Sequence, residues 1–160
     1  MTPVKLIIDC DPGVDDAVAL LLAFASREAL DILGVTTVAG NAGLERTARN
    51  ARLIRQIANR PEIPVYSGAS RPLLRDPVEA GDFHGPSGIG PIPVVEPDVP
   101  LVGDDAPQFI VDTIRREPPN TVTLAVTGPA TNVALALRLA PDIGPRLRQI
   151  VVMGGARSAG

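Results

Sequence analysis

The stretch Leu6–Phe24, "LIIDCDPGVDDAVALLLAF", decides the fold. The run "VKLIID" (Val4–Asp9) is short and apolar, as a buried strand is. Pro12-Gly13 turns the chain, and "DDAVALLLAFA" follows with Val14, Val18, Leu21, Leu22 and Ala25 at helical spacing. Strand, tight turn and helix in succession open a βα unit.

The same stretch crowds four carboxylates, Asp9, Asp11, Asp15 and Asp16. At ~5 Å and an effective dielectric of ~20, each ionised pair costs about 3 kcal/mol. Asp9 and Asp11, two apart at a strand end, lean to one side, and Cys10 points to the other. Asp15 and Asp16 fall in the first turn of the helix, where the dipole favours anions by ~0.3–1 kcal/mol each. That does not offset several repulsive pairs, whereas a bound divalent cation does. Carboxylates without a neighbouring histidine or second cysteine favour a hard ion, Ca²⁺ or Mg²⁺. The bland alternative is that Asp15 and Asp16 only cap a helix while Asp9 and Asp11 are solvated. The spacing does not fit an EF-hand loop.

Outward from this unit the alternation continues. "DILGVTTV" (Asp31–Val38) reads as a second strand, closed by Gly40-Asn41, and "LERTARNARLIRQIA" (Leu44–Ala58) as an amphipathic helix. In that helix Arg46, Arg49, Arg52 and Arg55 recur every third residue, which reads as a solvated face rather than a binding ridge. "IPVYSG" (Ile63–Gly68) is a short third strand. From Arg71 to Gly103 periodicity stops in a Pro-, Gly- and acid-rich segment, long enough for a loop to be read as functional. Asp105 as N-cap, Pro107 in the first turn and Gln108 at the third position start a helix that turns Phe109, Ile110 and Ile114 inward. "TVTLAVTG" (Thr121–Gly128), "ATNVALALRLA" (Ala130–Ala140) and "QIVVMGG" (Gln149–Gly155) read as strand, helix and strand. The pattern predicts an α/β fold: a Rossmann-like, open, mainly parallel sheet with helices on both faces, its ligand at the carboxyl ends of the strands.

The totals agree. The chain has 160 residues, 45% hydrophobic, enough to bury a core as one domain. Aromatics are only 2%, so the core rests on Val, Ile, Leu and Ala. A net charge of −3 gives no reason to expect nucleic acid or an anionic membrane surface. The lone Cys10, the absence of a signal-peptide pattern and of a run approaching ~20 apolar residues point to a cytoplasmic protein.

"DCDPGVDDAVAL" resembles the N-terminal signature of the nucleoside hydrolases, the inosine-uridine-preferring type among them. The likeness continues in order through "TTVAGN" (Thr36–Asn41), "FHGPSGIG" (Phe83–Gly90), "TGPATN" (Thr127–Asn132) and "VVMGG" (Val151–Gly155). The resemblance implies hydrolysis of the N-glycosidic bond of ribonucleosides to free base and ribose by a Ca²⁺-activated water. It assigns Asp11 to Ca²⁺ and to the water's proton, Asp16 and the Thr127 carbonyl to Ca²⁺, and Asp15 to the ribose 2′-hydroxyl. Asp9 would orient Asp11 or its neighbours. Asn41 would lie beside ribose and water, or is simply a turn residue. His84 would contact substrate, or faces solvent in its loop. Met153 would bring its backbone near the ribose, with its side chain in the core. Thr131-Asn132 starts a helix.

Nucleoside hydrolases are roughly twice as long, and the resemblance places further ribose contacts and a later Ca²⁺-binding Asp beyond this sequence. Residues 1–160 therefore read as the N-terminal part of a single nucleoside hydrolase-like domain, a homo-oligomer in full-length form, with an exposed sheet edge near its end. Other readings are an inactive relative acting as a calcium/ribose-binding or interaction module, and a hydrolase completed by a partner chain. "DCD" after an apolar strand also resembles haloacid-dehalogenase-like phosphatases, but Gly13 stands where they commonly carry Thr or Val, and Asp15-Asp16 is then unexplained.

Overall fold

The computed structural model describes residues 2–155, the side chains at 81 and 82 excepted. Val4–Cys10 forms β1, Val14–Ala25 α1, Leu30–Thr37 β2, Leu44–Ile57 α2 and Val65–Ser67 β3. A single turn of helix, α3 (Gly81–His84), interrupts the long connection to α4 (Ala106–Arg116). β4 (Val122–Val126), α5 (Thr131–Leu139), a 3₁₀ segment (Pro141–Arg146) and β5 (Gln149–Val152) follow. The strands are all parallel, in the order β3-β2-β1-β4-β5. The chain steps outward from β1 to β3, then returns to build on the other side of β1. The switch point of this Rossmann-like sheet therefore lies between the carboxyl ends of β1 and β4, where open α/β sheets place their ligands.

Alternation along β1 divides the core. Leu6, Ile8 and Cys10 pack with α1 and α2 residues such as Leu20, Phe24 and Ile54 on one face. Ile7 packs with Ile110 and Ile114 of α4 and Ala136 of α5 on the other. The expected two-faced sheet is thus present. Asp105 caps α4 by accepting from the Gln108 N–H at 3.0 Å, and Ile110 and Ile114 turn inward as expected. Phe109 is half-buried instead, stacked on Tyr66 with ring centroids 4.2 Å apart.

Four features differ from the sequence reading. The stripe Val14, Val18, Leu21, Leu22 and Ala25 faces outward, and α1 packs through Asp16, Ala17, Leu20, Ala23 and Phe24. The arginines of α2 are not a solvated face. Arg46 and Arg49 donate to the carbonyls of Pro86 and Ser87, Arg52 pairs with Glu96, and Arg55, 1% exposed, donates to the carbonyls of Ile63, Val99 and Pro100. They hold residues 86–100, whose backbone has few strand or helix partners of its own, against α2. The long segment is therefore not wholly structureless: it contains α3 and ends in a bridge between Tyr66 and Gly103. Finally, β5 stops at Val152, and the Met153 side chain is 58% exposed rather than in the core. β5 is the edge of the described sheet with no layer over it, so Gln149–Val152 are exposed on both faces.

Candidate active site

Asp9 lies near the end of β1 in register with Thr36 of β2 and Val126 of β4. Its carboxylate is fully buried. Oδ1 accepts from Thr36 Oγ1 at 2.6 Å and from Asn132 Nδ2 at 2.8 Å, while Oδ2 has no partner among the described residues. Burial pushes the Asp9 carboxyl up to about 6, against the opposing pull of its Asn132 and Thr36 hydrogen bonds.

Asp11, just past the strand, is 5% exposed. Gly40 faces it so closely that a Cβ there would overlap Oδ2, and a Cβ on Gly128 would stand 2.9 Å from Oδ1. Only glycines allow both turns to close on this carboxylate. Oδ2 accepts from the Asn41 N–H at 2.6 Å. Burial pushes the Asp11 carboxyl up to about 7; the Asn41 N–H opposes that rise, and the charge of Asp16 adds to it.

Asp16 completes the centre from α1. Its Oδ1 accepts from Thr127 Oγ1 at 2.6 Å, and its Oδ2 from the Gly13 N–H at 3.1 Å and from Asn41 Nδ2 at 3.3 Å. Asn41 also donates from Nδ2 to the Asp11 carbonyl at 3.1 Å, so it ties β1, α1 and the turn after β2 together. Asn41 is therefore more than a turn former. Asp15, on the same helical turn, is exposed. His84 comes from the long loop to the N-terminus of α1, where Nδ1 accepts from the Val14 N–H at 3.3 Å. That contact leaves the ring proton on Nε2, as a donor. Met153 sits at the rim, its N–H donating to the Val126 carbonyl at 2.8 Å. Thus Asp9, Asp11, Asp16, Asn41 and Thr127 gather around the switch point, with Asp15, His84 and Met153 at its edges. A cavity of about 330 Å³ opens alongside, between Gly40, Pro129 and loop residues such as Pro72 and Val78.

Two members were not singled out from sequence. Thr36 and Asn132 both sit inside quoted motifs, but Asn132 reads there as a helix starter. In the fold it is fully buried and hydrogen-bonded to three different strand ends. Cys10 takes no part. Its thiol is buried on the opposite face, and burial together with Asp16, Asp9 and Asp11 pushes it well above its ordinary range, so it stays protonated.

Among the described residues no Lys or Arg forms an ion pair with any of these four aspartates. A buried carboxylate oxygen without a partner among the described residues, as Asp9 Oδ2 is, calls for a compensating water or cation. The donors are all oxygen, the kind that suits a hard divalent ion. In number they fall short of a cage: among the described residues no three His, Cys, Asp or Glu side chains stand close enough together to hold a metal ion by themselves.

The profile of the family described as "Inosine-uridine preferring nucleoside hydrolase" matches residues 6–160. The chain belongs to this family. Its nucleoside hydrolase relatives include the inosine-uridine preferring enzyme of Leishmania major, 43% identical over 159 residues, covering 99% of this chain and 50% of the relative. The pyrimidine-specific ribonucleoside hydrolase RihA of Klebsiella pneumoniae is 44% identical over 155 residues, covering 97% and 49%. A solved plant nucleoside hydrolase superposes with a TM-score of 0.90 at 33% identity, over 96% of this chain and 48% of that one. The chain spans about half the length of the nucleoside hydrolases it matches. Nucleoside hydrolase membership replaces the phosphatase reading of "DCD". No helix among the described residues is long and apolar enough to cross a membrane.

Proposed function

We propose that this chain carries the water-activating half of a site that hydrolyses the N-glycosidic bond of ribonucleosides. The observation that carries the reading is Asp11, a buried carboxylate enclosed by two glycine turns at the switch point and held by the Asn41 N–H at 2.6 Å. A carboxylate fixed in this way is placed to take a proton from a water beside it. The relatives' names differ in base preference, so the substrate class is ribonucleosides without a narrower choice.

In this reading Asp11 takes the proton of a water that adds to C1′. The C1′–N bond breaks with its electron pair passing to the base, and base and ribose are released through an oxocarbenium-like transition state. Asn41 holds Asp11 through Oδ2 and keeps Asp16 in register with it. Exposed Asp15 accepts from the ribose 2′-hydroxyl, His84 offers its Nε2–H to the substrate, and the Met153 backbone borders the sugar. Asp9, pinned by Thr36 and Asn132, steadies the strand end that carries Asp11. Asp11, Asp16 and the Thr127 carbonyl would hold Ca²⁺, which when bound makes water easier to deprotonate and anchors hydroxyls. A cytoplasmic, homo-oligomeric protein belongs to the same reading.

The test is ribose release from inosine and uridine, with Ca²⁺ and with chelator, in the protein that carries this chain. Asp11→Asn keeps the shape but cannot take the proton, and the rate is expected to fall about 10²–10⁴-fold. A rate within threefold of the parent would falsify the assignment of Asp11. The incomplete donor set of the described residues favours one second reading: residues 1–160 alone bind the ion and ribose but turn over feebly.

A further inference from the structure

We propose that Asn132 is a positioning residue: its amide fixes the turn that delivers the Asn41 N–H to Asp11. The proposal rests on the reading of Asp11 given above. The pairing of β2 with β3 ends at Thr37 and Ser67. Beyond that point the two strand ends need another group between them. Asn132 supplies it from the first turn of α5. Its Nδ2 donates to the Thr37 carbonyl at 3.0 Å, and its Oδ1 accepts from the Ala69 N–H at 2.8 Å. One side-chain amide thus does what a peptide group does in a sheet, donating on one side and accepting on the other. The remaining Nδ2 proton goes to Asp9 Oδ1 at 2.8 Å, which ties the same rung to β1. With two donors and one acceptor engaged at no exposure, the side chain has a single orientation.

The rung reaches Asp11 through short links. Ala69, held by Asn132 at its N–H, accepts at its carbonyl from the Ala39 N–H at 2.9 Å. Ala39 precedes Gly40, whose missing side chain makes room for Asp11, and Asn41, whose N–H meets Asp11 Oδ2 at 2.6 Å. The turn's other ties run from the Val38 N–H to the Cys10 carbonyl and from Thr47 Oγ1 to the Val38 carbonyl on the Ala39 side, and from the Ala80 N–H to the Asn41 carbonyl and Asn41 Nδ2 to the Asp11 carbonyl and Asp16 Oδ2 on the other. The Ala69 link is the tie through which Asn132 acts on the Ala39 end of this turn. Because Gly40 and Asp11 are already at closest approach, a shift of a few tenths of an ångström in this turn moves the carboxylate. Gly68 shows the same fit from outside: a Cβ there would overlap Asn132 Oδ1.

The experiment compares Asn132→Ala and Gly68→Ala with the parent by amide hydrogen exchange, read residue by residue by NMR in chelator. Gly68→Ala keeps Asn132 but drives a methyl against it, so it serves even where Asn132→Ala folds poorly. The Asn41 amide is expected to exchange at least tenfold faster in both variants, with the Leu124 and Ile110 amides within twofold. In hydrolysis kcat should fall at least tenfold while KM stays within threefold. An unchanged Asn41 amide, or equal acceleration of every amide, overturns the proposal and leaves Asn132 a stabilising residue only. If the parent releases no ribose from any nucleoside, the functional reading fails, and the exchange data still decide the role of Asn132.

Discussion

Replacing Asp9 by Asn should make the protein's stability less sensitive to pH, with a magnitude and sign set by burial. The Asp9 carboxyl stands at about 6 in the fold, against an ordinary value of 3.8 in the unfolded chain. A difference of roughly 2 units corresponds to about 3 kcal/mol between the two protonation states. The folded state holds the proton more tightly, so between these values it binds more protons than the unfolded state. Stability is then fully present below about pH 4 and is lost as pH rises through about 6. Asp9→Asn keeps an oxygen for Thr36 and Asn132 and removes the ionisation. Urea unfolding in chelator, at pH 4 and pH 8, gives the difference between variant and parent at each pH. That difference should move by about 2.4 kcal/mol in favour of the variant on going to pH 8, less than the full value because at pH 4 the unfolded carboxyl is already partly ionised. The raised Asp11 carboxyl acts in the same direction in both proteins and cancels. A difference that stays constant from pH 4 to pH 8 would refute the argument, because it would mean that Asp9 ionises in the fold as easily as in water.

Removing Asp16, the buried carboxylate of α1 proposed to hold Ca²⁺, should be visible without turnover. Asp16→Ala is expected to abolish Ca²⁺ binding in calorimetry, and retained binding of the parent's affinity would show that the ion sits elsewhere. Arg55→Met leaves the carbonyls of Ile63, Val99 and Pro100 without their donor. It should destabilise by about 2–4 kcal/mol in urea melts. Limited proteolysis should then cut between Glu96 and Gly103 before the rest of the chain, whereas cuts unchanged from the parent would mean the segment is held by other contacts.

The parts of the fold legible in the sequence were those in which local chemistry leaves one choice. A strand of Leu, Ile and Ile stopped by Pro-Gly reads one way, and Asp105, Pro107 and Gln108 announce α4 through a cap that the fold then makes. The acidic residues were legible because repulsion demands an explanation. Long-range partners were not. Asn132 lies 123 residues from Asp9, and nothing in "TGPATN" distinguishes an amide that starts a helix from one that spans three strand ends. The arginines of α2 misled for a related reason. Spacing by threes describes a ridge on a helix, but whether it meets water or a loop depends on where residues 86–100 run. Backbone without strand or helix partners needs donors, and a guanidinium supplies up to five. A long loop and an arginine-rich helix in one chain are thus a pair to consider together.

The rotation of α1 shows how a polar residue can decide what apolar periodicity leaves open. Two stripes of this helix are apolar, one through Val14, Val18, Leu21, Leu22 and Ala25, the other through Ala17, Leu20, Ala23 and Phe24. Periodicity weighs them by bulk and prefers the first. The second includes Asp16, and a carboxylate would ordinarily count against burial. Here it is the reason for burial. Asp16 accepts from the Gly13 N–H, Asn41 Nδ2 and Thr127 Oγ1, and it meets the last two only if its face of the helix turns toward the strand ends. Ala17, Leu20, Ala23 and Phe24 are then carried inward at spacings of one, four, seven and eight residues from Asp16. They join the core with Leu6 and Ile8 of β1, and the bulkier Val18 and Leu22 are left 65% and 68% exposed. The site therefore fixes the packing of the helix rather than the reverse. Of the two acids in the first turn, Asp16 marks the buried face and Asp15 the exposed one, and hydrogen-bond partners at the strand ends make the difference.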